Sequence, residues 1–126
     1  MKYILVVDDE ADILETVVDT LEIEFGPNFK VECAINGVDA LDKFKNIRTY
    51  DLIVTDLNMP VMGGIELTEQ IRNQFKDIPV IVFTGHGDLE EQEKLNNLGV
   101  RAMIKKPYVE DLIEEVCASL SIRTQS

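Results

Sequence analysis

Two hydrophobic patterns alternate along this chain. The first consists of short, nearly continuous apolar runs: Tyr3-Ile4-Leu5-Val6-Val7, Leu52-Ile53-Val54-Thr55, Val80-Ile81-Val82-Phe83 and Ala102-Met103-Ile104-Lys105. A strand that is apolar at successive positions is covered on both faces, the condition of a parallel sheet sandwiched between helices. The second pattern has a helical period. Ile13, Leu14, Val17, Val18 and Leu21 share one face of a predicted helix that ends near Gly26-Pro27. Val38, Leu41 and Phe44 repeat the pattern after Asn36-Gly37, Leu67, Ile71 and Phe75 after Gly63-Gly64, and Leu112, Ile113, Val116, Cys117 and Leu120 form the last helix. With Val31-Glu32-Cys33-Ala34 as a short second strand, strand and helix alternate five times at spacings suited to crossover connections. The prediction is a doubly wound α/β domain.

The segment from Asp88 to Gly99 is the weakest helix. Asp88 and Glu91 have the spacing of a capping box, and Gly99 is a stop signal. Its apolar side is only Leu89, Leu95 and Leu98, so it is expected to bury little and to move easily.

Length and charge narrow the function. A chain of 126 residues, 45% hydrophobic, suits a single domain spanning 1–126 with one real core. Asp and Glu number 24 against 12 Lys and Arg, which disfavours direct nucleic acid binding and anionic membranes and favours a cation or a basic partner. The first apolar run meets Asp8-Asp9 before it could serve as a signal peptide, and no run reaches membrane-spanning length, so no membrane insertion and a cytoplasmic location are expected. Cys33 and Cys117 lack metal-ligand spacing and are read as small core residues.

In an open parallel sheet the functional crevice lies at the carboxyl ends of the strands, where strand order reverses. Asp8, Asp9, Asp56, Thr84 and Lys106 all follow or close apolar runs and would crowd that end. Two carboxylates ~4 Å apart repel by roughly 4 kcal/mol at an effective dielectric near 20, so three together take up a proton or hold a cation. All-oxygen donors favour Mg²⁺, with Mn²⁺ as a substitute. A cation beside the ammonium of Lys106 and the hydroxyl of Thr84 makes a place for a phosphoryl group.

Asp8-Asp9, Asp56-Leu57-Asn58-Met59-Pro60 with Gly63-Gly64, Thr84-Gly85 and Lys106-Pro107, in this order on successive strand ends, resemble the receiver domain of two-component response regulators, of the stand-alone, chemotaxis-regulator-like or phosphorelay type. The resemblance covers essentially the whole chain. It implies a flavodoxin-like, doubly wound five-stranded parallel sheet of order 2-1-3-4-5 with helices on both faces. It further implies that Asp56 accepts a phosphoryl group from a sensor histidine kinase or a histidine phosphotransfer protein. Asp9, Asp56 and the backbone carbonyl of Asn58 would bind Mg²⁺ directly, with Asp8 acting through metal-bound water. Lys106, aimed by a cis bond to Pro107, would pair with the phosphoryl oxygens, and Thr84 would swing inward and draw the loop and the Asp88–Gly99 helix after it. Output to a downstream target, or to the next phosphorelay carrier, would use that helix, the last strand and the last helix. Kinase docking would fall near the first helix, around Ile13, Leu14 and Val17. Asn58 and His86 would tune the lifetime of the phosphorylated state.

Taken singly, each motif has a plainer reading: Asp8-Asp9 as a helix cap, Asp56 to Pro60 as a turn, Thr84 as a strand end, and Lys105 and Lys106 as solvated charges. Their joint occurrence favours the site, with Lys105 as the solvent-facing neighbour. Gly85-His86-Gly87 lacks a phosphate-loop fingerprint and reads as a hinge. One departure from the family pattern is Met103, where many receivers carry Tyr or Phe; Tyr108 is expected near the same face without taking that role. A small Mg²⁺-dependent phosphohydrolase would place its second acid two residues after the first, whereas Asp9 directly follows Asp8. A flavin-binding relative would carry Ser, Thr and Gly where this chain carries acids. A phosphorylation-independent interaction domain stays open. The chain is expected to be a phosphoacceptor that catalyses only its own phosphorylation and dephosphorylation; its last predicted helix is followed only by Arg123-Thr124-Gln125-Ser126, as in a stand-alone receiver or an excised domain of a longer regulator.

Overall fold

A computed structural model describes residues 1–75 and 77–121, so the tail from Arg123 to Ser126 lies outside the described residues. Strand and helix alternate throughout: β1 (Lys2–Val7), α1 (Ala11–Phe25), β2 (Phe29–Ala34), α2 (Gly37–Asn46), β3 (Leu52–Thr55), α3 (Gly64–Gln74), β4 (Val80–Thr84), α4 (Leu89–Asn97), β5 (Ala102–Lys105) and α5 (Val109–Leu120). The sheet is parallel, in the order β2-β1-β3-β4-β5. The chain steps outward from β1 to β2 and then returns past β1 to β3, which opens the switch-point crevice between β1 and β3.

Alternation along each strand feeds two cores. Ile4, Val6, Val54, Ile81 and Phe83 pack with Leu14, Val17 and Leu21 of α1 and with Leu112 and Val116 of α5. Their sequence neighbours Leu5, Val7 and Ile53 face the other way, against Leu41 and Phe44 of α2 and Leu67 and Ile71 of α3. This two-sided burial explains the uninterrupted apolar runs. α4 packs on a smaller cluster of Leu57, Val82 and Leu95.

Several expectations need correction. Cys33 is exposed, because β2 is an edge strand whose covered positions are Val31 and Ala34; Cys117 is half-buried. Val38 and Leu89 are also exposed, and small residues, Gly37 and Ala40, take part in seating α2 instead. Leu14 and Val17 are buried and face the sheet, so of the three side chains named for docking on α1 only the half-buried Ile13 is partly accessible.

Candidate functional site

Strand register brings the site together. Val7 is level with Ala34 and with Thr55, so Asp8 and Asp56 leave adjacent strands at the same height. The backbone ladder continues one residue past the strands, with Asp56 N–H donating to Val7 C=O at 2.9 Å and Asp8 N–H to Ala34 C=O at 3.1 Å. On the other side Lys106 N–H donates to Thr84 C=O at 2.9 Å. The Lys106-Pro107 peptide is cis. The Lys106 ammonium donates to Asp8 Oδ2 at 2.7 Å and to Asp56 Oδ2 at 3.3 Å. The remaining oxygens serve the backbone: Asp8 Oδ1 accepts from Glu10 N–H at 2.9 Å, and Asp56 Oδ1 from Leu57 N–H at 2.8 Å.

Asp8, Asp9 and Asp56 each present a carboxylate oxygen, all within 4.8 Å of one another; Asp8 and Asp56 are buried and Asp9 is exposed. At that separation each pair repels by roughly 3 kcal/mol at an effective dielectric near 20. One ammonium cannot balance three acids. Burial pulls the Lys106 pKa downward, but the hydrogen bond to Asp8 and the charges of Asp56 and Asp8 outweigh it and leave the pKa raised. The residual negative charge, the all-oxygen donor set and the solvent access at Asp9 fit a hard divalent cation such as Mg²⁺.

The other expected residues lie in β4 and β5 or in the loops that follow β3, β4 and β5. Thr84 is buried at the end of β4, and its hydroxyl donates to His86 C=O at 3.1 Å, turned toward its own loop. Asn58, His86 and Lys105 are exposed, as is Tyr108 at 57%. Met103 lines a cavity of about 380 Å³ with Thr84, Gly85, Gln92 and Ile104. Gly64 enters the sequence reading as a helix start and as part of the Gly63-Gly64 motif, without a stated steric role. A Cβ on it would collide with the Asp56 carbonyl oxygen, and Gly64 N–H donates to Leu57 C=O at 2.9 Å. The Gly-Gly pair next to the acidic loop was the available signal for this close approach.

The sequence matches the response regulator receiver domain over residues 4–118. It is 36% identical over 86 residues to the sensor protein EvgS of Escherichia coli O157:H7, covering 68% of this chain but 7% of that protein. With the chemotaxis protein CheY1 of Helicobacter pylori it shares 33% identity, covering 89% of this chain and 90% of that protein. Among solved structures, a CheY-like receiver domain protein from Methanospirillum hungatei superposes with a TM-score of 0.87 at 32% identity, covering 96% of this chain and 94% of that chain. The response regulator TrrA of Thermotoga maritima, solved in complex with Mg²⁺-BeF, gives a TM-score of 0.81 at 32% identity over 94% of this chain and 99% of that chain. The ordered strand-end motifs, the sheet that aligns them and these similarities agree: the chain belongs to the response regulator receiver domain family, the phosphoacceptor signalling switches of two-component systems.

Proposed function

We propose that Asp56 is the phosphoacceptor of this chain, that Lys106 and Thr84 handle the phosphoryl oxygens, and that Asp8, Asp9, Asp56 and the backbone carbonyl of Asn58 hold Mg²⁺, for which Mn²⁺ can substitute. The observation that carries this reading is the convergence of three carboxylate oxygens within 4.8 Å beside the Lys106 ammonium. Bound Mg²⁺ would supply positive charge against the phosphoryl oxygens.

Asp56 Oδ2 is the nucleophile, since Oδ1 is engaged by the Leu57 amide. As it bonds to phosphorus, the N–P bond of a phosphohistidine on a sensor histidine kinase or a histidine phosphotransfer protein breaks, and the imidazole nitrogen leaves with the bonding electrons. Lys106 then shifts its hydrogen bond from Asp56 to a phosphoryl oxygen. Thr84 exchanges its bond to His86 C=O for one to the phosphoryl group, drawing residues 85–87 and α4 with it. Reversing a two-state population from mostly inactive to mostly active takes about 5 kcal/mol of differential interaction. Several charge-assisted hydrogen bonds gained together supply it.

The domain, spanning 1–126, acts in the cytoplasm and catalyses only its own phosphorylation and dephosphorylation. It passes its state through α4, β5 and α5 to a target protein or to the next carrier of a phosphorelay. Among the described residues no helix is long and apolar enough to cross a membrane. The test is mass spectrometry after incubation with Mg²⁺ and acetyl phosphate. Wild type is expected to gain one phosphoryl group and Asp56→Asn none; an unmodified wild type would refute the reading.

A further inference from the structure

α4 is held in opposite ways at its two ends. At its start Asp88 Oδ1 accepts from Glu91 N–H at 2.8 Å, and Glu91 Oε1 accepts from Asp88 N–H at 3.1 Å. This capping box closes the first turn on itself rather than on the sheet. Leu89 beside it is 82% exposed, and the cavity lined by Gly85, Gln92 and Met103 adjoins this end.

The other end is fixed. Leu95 is fully buried against Leu57 and Val82. Gly99, at φ 73°, turns the chain so that its N–H donates to Asn96 C=O at 3.0 Å and Val100 N–H to Leu95 C=O at 3.2 Å. Arg72 of α3 then reaches across. Its Nε donates to Leu98 C=O at 2.7 Å, one terminal nitrogen to Gly99 C=O at 3.1 Å, and the other to Ile78 C=O at 2.6 Å. A helix end leaves its last carbonyls unpaired and carries partial negative charge, and a guanidinium answers both. Because the three carbonyls belong to two segments, the planar fork ties the end of α4 to the approach to β4.

We propose that Arg72 is the fulcrum of the switch: a positioning residue that holds the C-terminal end of α4 while a phosphoryl group on Asp56 displaces its N-terminal end. This rests on the phosphoacceptor reading and adds which end moves and what holds the other. The nine residues of α4 span about 13 Å at 1.5 Å per residue, so a turn of roughly 10° about the Arg72 end carries Leu89 about 2 Å. The capping box keeps the first turn wound during that motion. With a loose C-terminal end the same push would translate or fray the helix.

Hydrogen–deuterium exchange on the full chain, with and without Mg²⁺ and beryllofluoride, tests this, with fluorine NMR reporting the bound mimic. In wild type the mimic is expected to change exchange in residues 85–92 and to leave the amides of Leu98, Gly99 and Val100 within about twofold. Arg72→Gln should raise exchange at those three amides by about tenfold and make them respond to the mimic, while phosphorylation by acetyl phosphate keeps its wild-type rate. Arg72→Lys, which keeps the charge but not the fork, should fall between. Should Arg72→Gln fail to fold, the wild-type pattern and Arg72→Lys decide the matter. A wild type whose Leu98 to Val100 amides respond as strongly as residues 85–92, or substituted proteins with the wild-type pattern, would overturn the fulcrum alone. Absence of bound fluorine signals in wild type would overturn the phosphoacceptor reading and the fulcrum with it.

Discussion

Both ends of the sheet carry charged clusters, yet only one crowds three acids around a single ammonium. Toward the amino end, Glu32 Oε1 accepts from the buried Tyr50 hydroxyl at 2.5 Å and from Arg48 Nε at 3.2 Å, and the Arg48 guanidinium lies 4.2 Å from the centre of the Tyr3 ring. Asp51 Oδ2 accepts from Tyr3 N–H at 2.8 Å. Each acid there has a donor, and the cluster fastens the start of β3 to β1 and β2. At the carboxyl end Asp8, Asp9 and Asp56 share a space under 5 Å across, with Lys106 as the ammonium that touches two of them. A satisfied cluster stabilises the fold, whereas an excess of one sign costs stability and creates affinity for a missing ion.

The largest expected effect breaks the carboxyl end sterically. Gly64→Ala would press a methyl group onto the Asp56 carbonyl, where backbone on both sides limits relief. We expect a loss of about 2–4 kcal/mol in urea unfolding together with loss of phosphorylation. A midpoint equal to wild type would mean that the loop yields. A smaller effect separates the two ends by sign. Asp9→Asn removes one repelling charge at an exposed position, so without Mg²⁺ it should stabilise the domain by up to about 1 kcal/mol after solvent screening. Its affinity for Mg²⁺ should fall by about tenfold or more, so added Mg²⁺ raises the wild-type midpoint further than that of the substituted protein. Tyr50→Phe, at the satisfied end, should destabilise by about 1 kcal/mol with Mg²⁺ affinity unchanged. If Asp9→Asn also destabilised in Mg²⁺-free buffer, the contrast between the ends would fail.

The site residues were legible because each follows or closes an apolar run, and parallel register converts that position into proximity. The doubly wound class followed from periodicity alone, while the strand order came with the family resemblance and was then observed. What periodicity could not supply was the identity of the covering partner. Val38 and Leu89 have the right phase for a core but stand exposed, and Cys33 falls on an edge strand. Leu14 and Val17 fill the core-face role that their phase predicts, which leaves Ile13 alone of the three partly accessible on α1. Arg72 left no signal, because its partners are backbone carbonyls, which carry no residue-specific pattern. The Thr84 hydroxyl donates to His86 C=O, a bond within its own loop that the sequence did not signal.

The smallest expected effect is absent at neutral pH and distinguishes the ends in alkali. Burial, followed by the hydrogen bond to Glu32 and its charge, raises the Tyr50 pKa well above the ordinary 10.0. At the other end the Lys106 pKa is raised above 10.5, with Asp8 and Asp56 outweighing burial. Both groups have a folded pKa above the unfolded one. Each therefore contributes stability that is complete below its unfolded pKa and is lost as pH rises toward the folded value. The unfolding midpoint in urea should be flat from about pH 7 to about pH 9 on account of these two groups and decline above about pH 10. Tyr50→Phe removes the amino-end share of that decline, and Lys106→Met the carboxyl-end share. Since the ammonium is the counter-charge to three acids, Lys106→Met should also make the midpoint more dependent on Mg²⁺ at every pH, which Tyr50→Phe should not. Equal Mg²⁺ dependence in the two substituted proteins would place the unmatched charge somewhere other than the carboxyl end of the sheet.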